Sequence, residues 1–183
     1  MMSWGFQRML TDAERAAALK DLEETHAALL QAIEDFPPDH FSASPGEGRW
    51  SAAQVLEHVV LVEGRVLGRL KGILLEPPDL ASQSAVGGRE EELFAGGRRR
   101  LSRIQAPPAL HPAGDKRRED LLQSFQRLRS ATIQFAQETD GDLRKHFFPH
   151  PVFGTLDGYQ WLRLIPAHCE RHRLQIEEIR VSL

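Results

Sequence analysis

Four stretches of helical periodicity, each roughly 22 to 27 residues long, restrict this chain to an all-α bundle more firmly than any other feature. The first runs from about Thr11 to Phe36. Thr11 and Glu14 are spaced as a capping box, and Pro37-Pro38 stops the helix. Leu19, Leu22, His26, Leu29, Leu30 and Ile33 fall on one face at steps of three and four. Ser51 and Gln54 form a second capping box, opening a helix that extends to about Leu75, ahead of Pro77-Pro78. Within it, Gly64, Gly68 and Gly72 recur every fourth residue and are expected to admit a neighbouring helix closely. The third helix spans about Lys116 to Thr139, with Leu121, Leu122, Phe125, Leu128, Ile133 and Phe135 at apolar positions and Gly141 just beyond its end. The fourth begins near Thr155 and reaches about Val181. No segment shows a strand alternation.

The chain's 183 residues suit one domain spanning positions 1–183. Between the second and third helices, Pro77 to Asp115 is rich in Pro, Gly, Ser and charge, with a short helix expected around Glu90 to Phe94. A connection of this length can cross a whole bundle, so a four-helix bundle with a crossover connection is the expected architecture. It contains the basic run Arg98-Arg99-Arg100 and Arg103, which reads as a solvated loop because no aromatics are interleaved with it. With 23 basic and 26 acidic residues the formal charge is −3, which gives no general attraction for nucleic acid or anionic lipid. No apolar run approaches the roughly 20 residues of a membrane span, and Met1 to Arg8 lacks a secretory apolar core. A single cysteine, Cys169, excludes an intramolecular disulfide and any multi-thiolate zinc site. The expectations are therefore a cytoplasmic location and no membrane or nucleic-acid partner.

The histidines carry the chemistry. His168 and His172 stand at i and i+4, so their imidazoles leave one helix face together. Trp161, Ile165, Ile176 and Ile179 share that face, which puts the pair in the apolar stripe. His58 repeats the arrangement on the second helix among Val55, Val62 and Val66. An inward imidazole without partners costs about 1–3 kcal/mol, and three of them are hard to explain as idle core residues. A divalent-metal site is the alternative to three satisfied core histidines. The segment His168-Cys169-Glu170-Arg171-His172 lacks the glutamate that either zinc-protease pattern requires. Cys169 lies about 100° round the helix from His168 and reads as packing. Pro166, two residues before His168, removes a backbone bond and is expected to kink or open the helix. Glu57 and Asp157 read as structural, the latter as a cap or first-turn charge. His150 reads as a loop stabiliser or, less simply, a proton shuttle, and His26 as a weaker extra candidate. His40, His111 and His146 read as solvated loop residues. Trp161 and Phe153 serve equally as pocket walls or core.

Three segments resemble the DinB/YfiT-like metalloenzyme superfamily. They are Trp50-Ser51-Ala52-Ala53-Gln54-Val55-Leu56-Glu57-His58-Val59, then His150-Pro151-Val152-Phe153-Gly154-Thr155-Leu156 with Gln160-Trp161-Leu162, then His168 to Ile176 with its paired histidines followed by Gln175. The resemblance spans almost the whole chain and keeps the family's order. It implies a four-helix bundle of unusual crossover topology, often a homodimer. It also implies a divalent metal, commonly nickel, zinc or iron, held by residues that match His58, His168 and His172. Relatives include thiol S-transferases that use low-molecular-weight thiols, a mycothiol-dependent maleylpyruvate isomerase and proposed hydrolases.

Three neutral imidazoles would leave coordination positions open for water or a small-molecule substrate, as catalytic sites do. Such an ion can polarise a carbonyl or lower the pKa of a bound water or thiol. The functional expectation is a metal-dependent enzyme of thiol-dependent S-transferase or hydrolase type. Its rival is a non-catalytic metal- or small-ligand-binding bundle with a stress or damage-response role.

Overall fold

The computed structural model describes residues 10–98 and 107–183. The described chain is built from α1 (Asp12–Glu34), α2 (Ala52–Ile73), α3 (Glu90–Arg98), α4 (Arg118–Glu138), a two-stranded ribbon of β1 (Phe147–His150) and β2 (Gly154–Asp157), and α5 (Gly158–Ser182). Arg99, Arg100 and Arg103 of the basic run lie outside the described residues, as does the N-terminal segment read against a secretory signal.

Reciprocal side-chain caps start three of the four long helices. The Thr11 and Ser51 side chains accept from the Glu14 and Gln54 amides, each at 3.2 Å, and the Glu14 and Gln54 side chains return bonds to the cap amides. A third box, Asp157 with Gln160, starts α5 at Gly158 rather than near Thr155. The three residues before Asp157 are taken up by β2, which pairs antiparallel with β1 from Phe147↔Asp157 to His150↔Gly154. The expectation of no strands is thus corrected. Pro149 and Pro151 mask the ribbon in the sequence, and each strand is only four residues long. Helix α5 runs unbroken through Pro166. The short helix expected at Glu90 to Phe94 continues to Arg98 and lays Leu93 and Phe94 against Leu164, Ala167 and Leu156.

The long helices form a bundle in which α1 and α2 each pack against both α4 and α5. Their directions follow from paired ends. Arg15 near the start of α1 donates to carbonyls of Ala136, Gln137 and Thr139 at the end of α4, while Arg118 at the start of α4 reaches Ile33 and Phe36 at the end of α1. These two helices are antiparallel. Tyr159 bonds Glu14 near both N-termini of α5 and α1, and Arg163 pairs with Asp21, so α1 and α5 run parallel. Glu63 pairs with Arg129 midway along α2 and α4, and Leu74 meets Gly141 past their C-terminal ends, so these two also run parallel. The order is up, down, down, up. Two successive parallel helices require the 74–117 connection to return along the bundle, which is the expected crossover.

Two glycine expectations change. Among Gly64, Gly68 and Gly72, only Gly64 faces a neighbour, Leu128 of α4, with an added Cβ 3.7 Å from its side chain. Gly141 does not adopt a left-handed cap; it is small because a Cβ there would lie 2.6 Å from Leu74.

The centre of the bundle is polar. Arg129 and Glu63 have side-chain exposures of 0% and 2%, so neither charge is solvated. Arg129 Nε and Nη2 donate to the two Glu63 oxygens at 2.9 and 2.8 Å, and Nη1 donates to the Leu22 carbonyl and Thr25 Oγ1. Thr132 Oγ1 donates to Glu63 Oε1 at 2.7 Å. Removing one partner strands the other charge, at a cost of about 3–5 kcal/mol. Chemical denaturation of Glu63→Leu is expected to show a loss of that size. Glu63→Leu with Arg129→Met is expected to recover much of it, and a single variant within about 1 kcal/mol of the native chain would contradict this assignment.

Candidate metal centre

His58 sits on the second turn of α2, and His168 and His172 on adjacent turns of the middle of α5. Because α2 and α5 pack antiparallel, the two apolar stripes face each other and bring the three imidazoles together. One ligand-capable atom from each lies within 4.8 Å of the others, and among the described residues this is the one such cluster of three. Ring centroids are 4.9 Å apart for His58 and His172, 5.2 Å for His58 and His168, and 4.4 Å for His168 and His172. His58 and His172 are buried, and His168 is partly exposed.

Outer hydrogen bonds orient two of the rings. His58 Nδ1 lies 2.8 Å from the Leu110 carbonyl, an acceptor only, so Nδ1 carries the proton and Nε2 presents its lone pair. His172 Nδ1 lies 2.9 Å from Gln175 Oε1, which makes the same assignment for that ring. The Nε2 atoms of His172 and His168 approach to 3.1 Å. Two nitrogens each about 2.0–2.1 Å from one ion, subtending a tetrahedral to octahedral angle, lie about 2.9–3.4 Å apart. The His168–His172 pair therefore fits one divalent cation as it stands, and His58 offers a third imidazole nitrogen within 4.8 Å.

The surroundings disfavour the charged form of His58 and His168. Burial pushes His58 below the ordinary histidine range, with the Leu110 bond opposing and His111 adding to the fall. Burial pushes His168 well down, reinforced by His172, His58, Arg171 and His150. Metal ligation needs neutral imidazole, so both shifts favour it. Cys169, about 100° round α5 from His168, is buried against α1, its Sγ 3.7 Å from the Thr25 carbonyl. Burial raises its pKa to about 11 despite Arg129 nearby, so at neutral pH it is a thiol, and it lies outside the three-histidine cluster.

The other singled-out residues fall elsewhere. Asp157 caps α5, as expected. Glu57 is buried but turns away from the cluster, accepting from the Gly114 amide and pairing with Lys116. His26 is half-buried edge-on to Phe125, and its Nε2 has no partner. His40 and His111 are exposed, His111 with its ring 6.0 Å from Trp50. His146 corrects the reading of a solvated loop residue: it is 7% exposed, because its carbonyl accepts the Gly158 amide and draws the ribbon onto the start of α5. Trp161 stacks on Phe148 with centroids 4.4 Å apart, and Phe153 packs on α3 and α5, so both serve the core. The sequence carries no sign of the Leu110 carbonyl as a partner of His58, and the motif that includes Gln175 does not by itself give that residue a role in orienting His172. Leu110 acts through its backbone, which leaves no mark in a sequence, whereas Gln175 was visible three residues after His172.

A cavity of about 410 Å³ lies near the N-terminal ends of α3 and α5, lined by Glu14, Glu90, Phe94, Arg144, Tyr159 and Arg163. Two of its guanidinium groups are engaged by carboxylates, Arg144 with Glu14, Glu90 and Asp157, and Arg163 with Asp21. It contains none of the three histidines.

His150 ends β1 with its Nδ1 accepting from the Val152 and Phe153 amides at 3.1 and 3.2 Å, which assigns the proton to Nε2. Its ring lies 4.9 Å from Trp161. Burial lowers its pKa to about 4, below the ordinary value of 6.5. The unfolded chain then binds the proton first, so this group destabilises the fold progressively as pH falls from 6.5 towards 4. Denaturation across that window is expected to show a shallower acid loss for His150→Asn, whose carbonyl keeps the acceptor. Parallel pH profiles for the two proteins would count against the assignment.

Comparison with known proteins places this architecture. The solved four-helix bundle protein TT2238 is 27% identical with a TM-score of 0.54, over 90% of this chain and 98% of that one. YfiT from Bacillus subtilis, described as a probable metal-dependent hydrolase with an unusual four-helix bundle topology, matches with a TM-score of 0.54 at 20% identity, over 98% of this chain and 93% of its own. YuaE from Bacillus subtilis strain 168, an uncharacterised protein, is 27% identical over 152 residues, 79% of this chain and 86% of its own. The profile of the DinB superfamily matches residues 21–176, and the chain belongs to that superfamily.

Proposed function

We propose that this protein is a divalent-metal-dependent enzyme whose ligands are His58, His168 and His172, acting on a small molecule by thiol-dependent transfer or by hydrolysis. The observation that carries the reading is the convergence of three inward imidazoles, two with Nε2 atoms 3.1 Å apart, in surroundings that hold His58 and His168 neutral. The description of YfiT as a probable metal-dependent hydrolase supports it. Nickel, zinc and iron(II) all suit an all-imidazole set.

An ion held there would supply a Lewis acid with open positions, polarising a carbonyl or lowering the pKa of a thiol or water. The chain's own residues set the conditions. Leu110 and Gln175 hold two rings with Nε2 facing inward. The packed apolar faces of α2 and α5 bury His58 and His172. Among the described residues no carboxylate joins the cluster, so a protein general base for hydrolysis is not built into it. In transfer from a low-molecular-weight thiol, the thiol proton would pass to solvent, the sulfur would form a carbon–sulfur bond with the electrophile, and the leaving group would depart with its electron pair. We read the protein as a homodimer with no nucleic-acid partner, in the cytoplasm.

Elemental analysis of untagged protein is expected to find close to one equivalent of transition metal per chain, and none with His58, His168 and His172 changed to Ala. Equal substoichiometric metal in both would overturn the reading. Metal-loaded protein incubated with an electrophile and a panel of bacterial thiols is expected to form conjugate faster than background for at least one thiol. Background rates for every thiol would favour the non-catalytic binding bundle.

A further inference from the structure

The part of the crossover just before α4 lies across the N-terminal end of α2. It contains a short 3-10 turn, Pro108–Leu110, and is fixed to α2 at two successive residues. His58 donates from Nδ1 to the Leu110 carbonyl at 2.8 Å. Glu57 accepts the Gly114 amide on Oε2 at 2.8 Å and pairs with Lys116 Nζ through Oε1 at 2.9 Å. The Glu57 side chain is only 3% exposed, so its charge is tolerable only because both oxygens are satisfied, and both are spent on this strap. Gly114 has φ +78 and fits directly over Gln54, where a Cβ would lie 3.0 Å from the Gln54 side chain. Trp50 closes the arrangement, its ring 5.0 Å from His58 and 6.0 Å from His111.

Neighbouring residues of one helix thus grip one strap four residues apart. The buried carboxylate holds the strap down, and the strap's carbonyl sets the rotation and tautomer of a candidate ligand. We propose that Glu57 is a positioning residue for the metal centre, clamping residues 110–116 so that the Leu110 carbonyl orients His58 Nε2 towards the ion. This rests on the three-histidine reading above. It has a reciprocal consequence: if strap docking favours metal binding, metal binding must favour strap docking by the same factor.

Zinc is the probe, in a chelator-competition titration and in amide hydrogen exchange. Glu57→Gln, which keeps the shape and loses the charge, is expected to bind zinc about 10–100-fold more weakly than the native chain. It should also exchange faster over residues 110–116, with exchange in the middle of α4 unchanged. In the native chain, zinc is expected to slow exchange of the Gly114 amide. A carboxylate that merely stabilised the fold would lower the melting temperature without moving zinc affinity or this exchange. Zinc affinity within twofold of native for Glu57→Gln would overturn the proposal. So would a Gly114 amide indifferent to zinc, a result that needs no folded variant. A native chain that binds zinc no better than the triple histidine-to-alanine variant would instead refute the metal reading itself.

Discussion

The buried Glu63–Arg129 pair is the interaction on which the rest of this structure depends. Two charges removed from water in the middle of a bundle are tolerable only when every donor and acceptor is satisfied, and the satisfying groups come from three helices. Glu63 belongs to α2, Arg129 and Thr132 to α4, and the Leu22 carbonyl and Thr25 hydroxyl to α1. The fourth helix joins through Cys169, whose Sγ lies 3.7 Å from the Thr25 carbonyl. An apolar contact tolerates sliding, whereas a bidentate guanidinium–carboxylate pair does not. The network therefore sets the axial register of the helices against one another.

That register is what the histidines require. His58 lies five residues from Glu63 on α2, and His168 lies next to Cys169 on α5. A slip of one helical turn, about 5.4 Å, would separate His58 from the pair on α5. The same geometry divides the chemistry of α5 into two faces. On one, burial and mutual repulsion keep imidazoles neutral and able to donate lone pairs. On the other, burial keeps the Cys169 thiol protonated beside a guanidinium that is already engaged by Glu63. Cys169 accordingly lies outside the three-histidine cluster.

What was legible in the sequence was local. The capping boxes at Thr11 and Ser51 rest on residues three apart, and the inward positions of His58, His168 and His172 rest on helical periodicity, so both could be read directly. The crossover followed from the length of the connection, since a chain that long has room to return along the bundle. The ribbon was hidden because Pro149 and Pro151 obscure strands of four residues, and with it the burial of His146. The central pair was hidden for a different reason. Glu63 and Arg129 stand 66 residues apart, and each alone looks like a solvated charge on an amphipathic helix. The Leu110 carbonyl was beyond reach, because a backbone acceptor is chosen by the path of the chain and not by its side chain. Glu57 was legible as structural, but its attachment to the strap depends on that same path.

The central claim is that three imidazole nitrogens, and no other side-chain ligand, hold the metal. X-ray absorption spectroscopy of the zinc-loaded protein tests this most directly. The account predicts three nitrogen scatterers at about 2.0–2.1 Å with the outer-ring scattering of histidine, completed by light atoms from solvent. A sulfur shell at about 2.3 Å, or a light-atom shell without the imidazole pattern, would contradict it.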